Sequence, residues 1–224
     1  MKQIPLPIGL ETTPTFDSFL PGANAPAVQH LLQLQGVAAP VYLWGASGSG
    51  KTHLLRALVH QRQQAGQRVG WFAAGTPLPW PLQADWSLVV LDRCDEFDPA
   101  EQHAAFALFV DAVTEAVQVV AAGRLPPVDL PLRDDLRTRL GWGHVFAMEP
   151  LSEAETRAAL RREGDRRGVL LSDEVMDFLL TRFTRDLKHL MDLLDRLDEF
   201  ALARGRAVTV PLLKTMLAEE STDA

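Results

Sequence analysis

The sequence predicts an α/β fold, a parallel sheet flanked by helices, followed by a small all-α domain. Three observations predict it. Apolar runs of strand length recur through the first 150 residues, with helical patterns between most of them. A glycine-rich loop stands directly between the first run and a helical pattern. After Pro150 the strand-like runs stop and four helical patterns follow. Strands alternating with helices favour a parallel sheet covered on both faces.

The first forty residues are proline-rich and loosely patterned, and the core begins at Val41. The strand-type runs are 41–44, 69–72, 88–91, 117–121 and 144–147. The first leads into Gly45-Ala46-Ser47-Gly48-Ser49-Gly50-Lys51-Thr52, and His53 to Gln64 reads as the helix that follows. This loop has the pattern G-x-x-x-x-G-K-[ST]. Its glycines turn backbone N–H groups inward around phosphates, Lys51 adds a point charge, and the Thr52 hydroxyl is a Mg²⁺ ligand. The dipole of the following helix adds to the attraction for an anion. Leu88-Val89-Val90-Leu91-Asp92 is an apolar strand ending in an acid, and Asp92 is read as the second holder of the Mg²⁺ shell. The implied cofactors are ADP or ATP with Mg²⁺.

The joint between the domains is placed at Pro150-Leu151-Ser152. The expected divisions are 1–10, a flexible peptide; 11–150, the α/β nucleotide domain; and 151–220, the helical domain. Ser152 and Glu155 form a capping-box pattern at the start of the helix over 152–167. The patterns 172–181, 185–203 and 209–218 complete the second domain. Leu187, Leu190, Met191, Leu194, Leu197 and Phe200 recur at helical spacing and read as a core face. Arg161, Arg162, Arg166 and Arg167, interleaved with Glu163 and Asp165, read as a solvated face.

Composition narrows the function. The net charge is −7, and it is spread evenly: residues 1–150 carry 10 basic and 14 acidic side chains, the rest 12 and 15. A protein whose main work is gripping DNA needs a basic footprint instead. One cysteine, Cys94, precludes an internal disulfide and suits a reducing compartment. Neither a signal-peptide pattern nor a run of about 18 apolar residues is present. The expectation is a cytoplasmic protein with no membrane association.

Four segments carry a family resemblance. They are Thr15-Phe16-Asp17-Ser18-Phe19 with Gly22 and Asn24; the phosphate loop ending Gly-Lys-Thr-His-Leu-Leu; Ala122-Gly123-Arg124-Leu125-Pro126-Pro127; and Arg139-Leu140-Gly141-Trp142-Gly143 with Pro150-Leu151-Ser152. Together they resemble the DnaA family of AAA+ proteins, over residues 3 to 218 or so, and within it the short members that inactivate the replication initiator. The resemblance implies an AAA+ P-loop domain with a helical lid. It makes Arg139 an arginine finger offered in trans to the initiator's ATP and Arg185 a sensor arginine over the chain's own nucleotide. It also turns Gln3-Ile4-Pro5-Leu6-Pro7 into a sliding-clamp-binding peptide. In that peptide Gln3 hydrogen-bonds, Ile4 and Leu6 fill pockets, and the prolines, Pro7 included, limit the entropy lost on ordering.

The implied partners are therefore the initiator DnaA and the DNA polymerase sliding clamp, with a homo-oligomer compatible and no direct sequence-specific DNA binding. Two positions depart from hydrolysing relatives. Arg93 stands where a water-orienting acid is usual, and the stretch Ala121-Ala122-Gly123-Arg124 lacks the usual small polar or acidic residue. Asp95 and Glu96 lie beyond the strand end and substitute only if the chain folds back. Both departures suit a protein that holds its nucleotide and supplies an arginine to a partner. The work of Arg137 relative to Arg139 is open at this level. Two other readings stand: a DnaA-type adaptor or helicase loader acting on other replication proteins, and a small-molecule P-loop kinase. A packed helical lid disfavours the second.

Overall fold

The computed structural model describes residues 14–34, 36, 38–183 and 187–220. These form two compact units. One contains the described residues up to Phe19, with Pro26–Trp44 and Lys51–Phe146; the other contains Leu20–Ala25, Gly45–Gly50 and the chain from Ala147.

The first unit is built on five strands: β1 (Val41–Trp44), β2 (Arg68–Ala73), β3 (Trp86–Asp92), β4 (Gln118–Gly123) and β5 (His144–Ala147). Their order is β2-β3-β4-β1-β5. The β2–β3, β3–β4 and β4–β1 pairs are parallel, with Ala73 opposite Asp92, Leu91 opposite Ala121 and Trp44 opposite Gly123. Helices α1 (Ala25–Gln33), α2 (Lys51–Gln64), α3 (Pro99–Thr114) and α4 (Asp134–Leu140) complete it. Side chains alternate across a strand. Tyr42, Val89, Leu91, Val119 and Ala121 therefore share one face with Leu108, Phe109, Leu136 and Leu140. The intervening Leu43, Leu88, Val90 and Val120 are equally buried. Both faces of the central strands are covered, as their unbroken apolar runs predict.

The strand runs extend one or two residues past several predicted ends, and α2 opens at Lys51 rather than His53. β5 departs from the expectation of a doubly buried strand: only Phe146 is partly buried. It is an edge strand of the sheet among the described residues. Helix α3 carries a capping box that the sequence reading missed. Asp98 Oδ1 accepts from the backbone N–H groups of Ala100 and Glu101, both at 2.8 Å, while Glu101 Oε2 accepts from the Asp98 N–H at 2.8 Å. Pro99 at the first helical position completes the start signal.

The second unit holds α5 (Glu153–Arg167), α6 (Asp173–Arg182), α7 (Leu187–Arg204) and α8 (Val210–Glu220). Ser152 caps α5 as predicted: its N–H donates to Glu155 Oε2 at 2.8 Å, and its Oγ accepts from the Glu155 N–H at 3.3 Å. The α7 stripe is core. Leu190, Leu194 and Leu197 are fully buried, joined by Leu193, with Met191 and Phe200 packed against the cluster. The basic stripe of α5 is an ion-pair network. Arg157 meets Asp177 at 2.6 Å, Arg161 meets Asp173 at 2.5 Å, and Arg166 and Arg167 share Glu163 at 2.5 and 2.6 Å. Arg167 also pairs with Asp195 of α7. Among the described residues no helix is long and apolar enough to cross a membrane.

The ionisation of Glu163 is strongly biased. The hydrogen bond from Arg166, with Arg167 added and burial opposing, lowers its pKa from 4.5 to about 2. A depressed folded-state pKa contributes stability above the unfolded value that is lost as pH falls through the folded one. The helical unit is accordingly expected to lose thermal stability between pH 4.5 and about 2. Glu163→Gln should lower the midpoint at neutral pH and flatten that acid slope, measured by circular dichroism melts across the window.

Candidate nucleotide-binding site

The loop that follows β1 needs its glycines. Gly45, Gly48 and Gly50 have φ of 154°, 79° and 91°, all in the region L-residues avoid. At Gly45 a Cβ would also lie 2.2 Å from the Met148 carbonyl oxygen. Ala46, Ser47 and Gly48 are exposed, Ser49 is buried, and the Ser49 N–H donates to the Ala46 carbonyl at 3.3 Å. Lys51 then opens α2, and the N-terminus of a helix favours an anion through its dipole.

Thr52 and Asp92 meet as the sequence predicts. Thr52 Oγ1 lies 3.1 and 3.0 Å from the two Asp92 carboxylate oxygens and donates to them. Asp92 is 4% exposed, and burial raises its pKa while the Thr52 hydrogen bond opposes the shift. Giving its proton to Asp92 leaves the Thr52 oxygen with lone pairs for a cation. Adjacent ligands of an octahedral Mg²⁺ with bonds of about 2.1 Å lie about 3.0 Å apart, so the spacing and the hard oxygen donors fit this ion. Among the described residues there is no group of three or more His, Cys, Asp or Glu that could hold a metal alone. The ion would share phosphate oxygens and water with Thr52 and Asp92, and when bound it offsets phosphate charge. Burial lowers the Lys51 pKa, opposed first by Asp95 and then by Asp92. Both carboxylates thus favour its charged form, against burial.

The chain turns back after β3. Arg93 adopts the left-handed conformation, φ 54° and ψ 48°, and a 3₁₀ turn follows over Cys94–Glu96. Arg93 is turned to Glu96 at 3.2 Å and is half exposed. Asp95, by contrast, is 4% exposed and pairs with Arg124 at the end of β4. Tyr42 Oη fills the space beside Gly123, where a Cβ would lie 2.3 Å from it, and donates to the Leu125 carbonyl at 2.9 Å. His53 was legible only as a helix residue. Its Nε2 lies 3.0 Å from the Thr15 carbonyl and 3.3 Å from Ser18 Oγ, and its ring packs on Phe19 at 5.4 Å. Burial lowers its pKa. A carbonyl oxygen can only accept, so Nε2 carries the proton and ties the Thr15–Phe19 segment to α2.

The arginines of α4 are not alike. Arg133 pairs with Asp135 at 2.7 Å and Arg137 with Asp134 at 2.6 Å. Arg139 has no carboxylate partner among the described residues. Its guanidinium lies over the Phe106 ring at 5.2 Å and over Phe109 at 5.9 Å. A shallow groove of about 520 Å³ runs along Phe106, Asp134, Asp135, Thr138, Arg139 and Trp142. Trp142 is 70% exposed. The turn that carries it is held rigidly: a Cβ on Gly143 would lie 1.9 Å from the Pro40 carbonyl oxygen, to which the His144 N–H donates at 2.8 Å. Arg185 and the peptide Gln3-Ile4-Pro5-Leu6-Pro7 lie outside the described residues.

Known proteins are similar to this chain. Residues 10–76 match the family described as the bacterial DnaA ATPase domain, and residues 153–217 match Hda, lid domain. Domain III of the Thermotoga maritima replication initiation protein DnaA is similar with a TM-score of 0.75 at 19% identity, over 93% of this chain and 97% of that one. AMPPCP-bound DnaA from Aquifex aeolicus is similar with a TM-score of 0.68 at 22% identity, over 85% of this chain and 66% of that one. The Thermotoga maritima RuvB Holliday junction branch migration motor gives 0.62 at 14%, over 85% and 64%. At these identities the structural likeness shows the fold.

If Thr52 and Asp92 hold a shared Mg²⁺, Thr52→Val should weaken Mg²⁺-dependent nucleotide binding by at least about tenfold. Binding without Mg²⁺ should change little; equilibrium titration of a fluorescent nucleotide in Mg²⁺ and in EDTA separates the two. The paired family matches and the shared sheet place the chain among the Hda- and DnaA-like AAA+ proteins, a group concerned with DNA replication.

Proposed function

We propose that the chain is a negative regulator of chromosomal replication initiation that acts on the nucleotide of a partner. In this reading Gln3-Ile4-Pro5-Leu6-Pro7 docks on the DNA-loaded sliding clamp, which raises the local concentration of the chain after replication. Its Arg139 then enters the ATP site of the initiator DnaA and speeds hydrolysis, leaving the inactive ADP form. The chain works in the cytoplasm, and self-assembly is compatible with the same face. Its own ADP or ATP, with Mg²⁺, is held by Gly45 to Thr52, Asp92 and Arg185 and shapes the protein, within the divisions 1–10, 11–150 and 151–220.

One observation carries this reading. Arg139 is the guanidinium of α4 that no carboxylate neutralises among the described residues, while Arg133 and Arg137 each have one. An arginine stacked on an aromatic ring keeps its N–H fork for an external anion. Charge building on a transferring phosphoryl group is such an anion, and an arginine supplied in trans is worth about 10³–10⁵ in rate in GTPases. The pairing of Arg137 with Asp134 favours Arg139 for this work. Arg93, turned away to Glu96, offers no acid to orient water for the chain's own nucleotide. The acidic surface disfavours the alternative of a helicase loader that grips single strands.

The deciding experiment follows initiator ATP hydrolysis with and without this protein and with and without DNA-loaded clamp. Arg139→Ala should remove at least about 100-fold of the stimulation while clamp binding persists. Full stimulation by that variant would sink the finger assignment. Deleting residues 1–8 should abolish clamp pull-down but leave hydrolysis responsive to saturating protein. Retained pull-down would refute the peptide.

A further inference from the structure

Phe106 stands at the rim of the core, half-buried, between two guanidinium groups. Arg139 lies over its ring at 5.2 Å and Arg133 at 5.6 Å. The backbone beneath the ring is fixed, because Ala105 and Phe109 of the same helix are fully buried against the sheet. The backbone that carries Arg139 is fixed as well. Leu136 and Leu140 bury one face of α4, and the Gly141 N–H closes the helix on the Arg137 carbonyl at 3.2 Å.

The two arginines differ in what else they touch. Arg133 Nη2 donates to Asp135 Oδ2 at 2.7 Å, and its Nη1 donates to His103 Nδ1 at 2.8 Å. Its backbone N–H donates to Gln102 Oε1 at 3.0 Å. An arginine cannot accept, so His103 Nδ1 is the acceptor there. Asp134, which lines the same groove, is paired with Arg137. Among the described residues the guanidinium of Arg139 has no hydrogen-bond partner; aromatic faces are its contacts.

This difference has a physical consequence. A long arginine side chain left to itself samples many rotamers, and a group misplaced by about 1 Å can lose about 100-fold in rate. A carboxylate would restrain it but would occupy its N–H groups and cancel its charge. A ring face attracts the cation through its quadrupole and leaves both intact. Phe106 therefore meets the two demands on Arg139 together, restraint and availability.

We propose that Phe106 is a positioning residue, whose ring holds the Arg139 guanidinium in the pose from which it meets the phosphates of a partner's nucleotide. The proposal rests on the reading of Arg139 as an arginine supplied in trans. It adds the residue through which that arginine is held.

Initiator ATP hydrolysis on DNA-loaded clamp, titrated with this protein, separates maximal stimulation from the half-saturating concentration. Phe106→Leu keeps an apolar side chain at the rim and removes the ring. It should lower maximal stimulation by about tenfold, between the exposed and the desolvated strength of a cation–ring contact, with little change in half-saturation. Phe106→Tyr keeps the ring face and should retain the stimulation. Full stimulation by Phe106→Leu overturns the proposal. So does an equal loss in both variants, or a change confined to half-saturation, which would make Phe106 a packing or docking residue. Side-chain NMR of Arg139 reads the same contact without a partner. Its δ-methylene protons should shift in Phe106→Leu and hold in Phe106→Tyr, and unmoved signals in Phe106→Leu also overturn the proposal. No stimulation by the unaltered protein refutes the underlying reading instead. Melting curves show that each variant is folded, and Phe106→Met replaces Phe106→Leu if that variant is not.

Discussion

The hydrogen bond from Thr52 to Asp92 is the constraint on which the candidate site depends. It joins the first turn of α2 to the last residue of β3, two strands away from β1 in the sheet. A polar contact at 4% exposure is costly unless satisfied, and a buried carboxylate more so. Satisfying it fixes where α2 begins relative to the sheet. The Lys51 side chain is thereby set among the carboxyl ends of β3 and β4, and every acid near it acquires a role toward the same anion. His53, one residue further on, extends the constraint to the Thr15–Phe19 segment. The start of a single helix therefore organises the cation site, the lysine and the chain that leads into the domain.

Charge in this protein is sorted by partner rather than by position in the sequence. The basic residues of α5 are as dense as those of any anion-binding stripe, yet Arg157, Arg161, Arg166 and Arg167 each meet an acid. Exposed pairs of this kind contribute little individually, of order 0–1 kcal/mol, and gain when they share members as Glu163 does. Their larger effect is to cancel the field of the stripe. Arg139 differs because its neighbours Asp134 and Asp135 are already taken by Arg137 and Arg133. Two acids and three arginines on α4 and the residue that caps it leave one cation over, and the Phe106 ring lies under that cation. A count of charges along the chain shows an unremarkable acidic protein; the arithmetic within α4 shows an unspent arginine.

The fold was legible because its signals are local. Unbroken apolar runs mark strands buried on both faces, and Ser152-Glu155 marks a helix start from four residues alone. β5 was misjudged on burial because a four-residue apolar run reads the same at an edge as in the middle; only the strand order separates them. In the site, Thr52 and Asp92 were legible because motif and strand end fix them. Asp95 was not. Its burial depends on a non-glycine residue adopting φ of 54°, a conformation that arginine only rarely takes. His53 was missed because its partners lie 35 to 38 residues away. The available hints were the absent acid at Arg93 and the glycine at 123, which together leave both the need and the room for a carboxylate from elsewhere.

The two halves of the functional reading share one electrostatic logic. An enzyme that turns over its own triphosphate needs free positive charge at the γ-phosphate and a carboxylate free to orient water. Here the carboxylate is present, but both of its oxygens accept from Arg124, and the arginine is thereby neutralised. The same ion pair removes the acid and the cation together. What the proposed reading leaves there is Lys51 and the Thr52–Asp92 pair as a candidate cation seat. A positive charge with no carboxylate partner among the described residues lies on α4, at Arg139, with the exposed Trp142 on the turn that follows, where Gly143 packs closely against Pro40. Tryptophan and arginine side by side are residue types enriched in binding hot spots. Charge that is cancelled inside and left over outside is what a protein needs in order to keep its own nucleotide and act on another's.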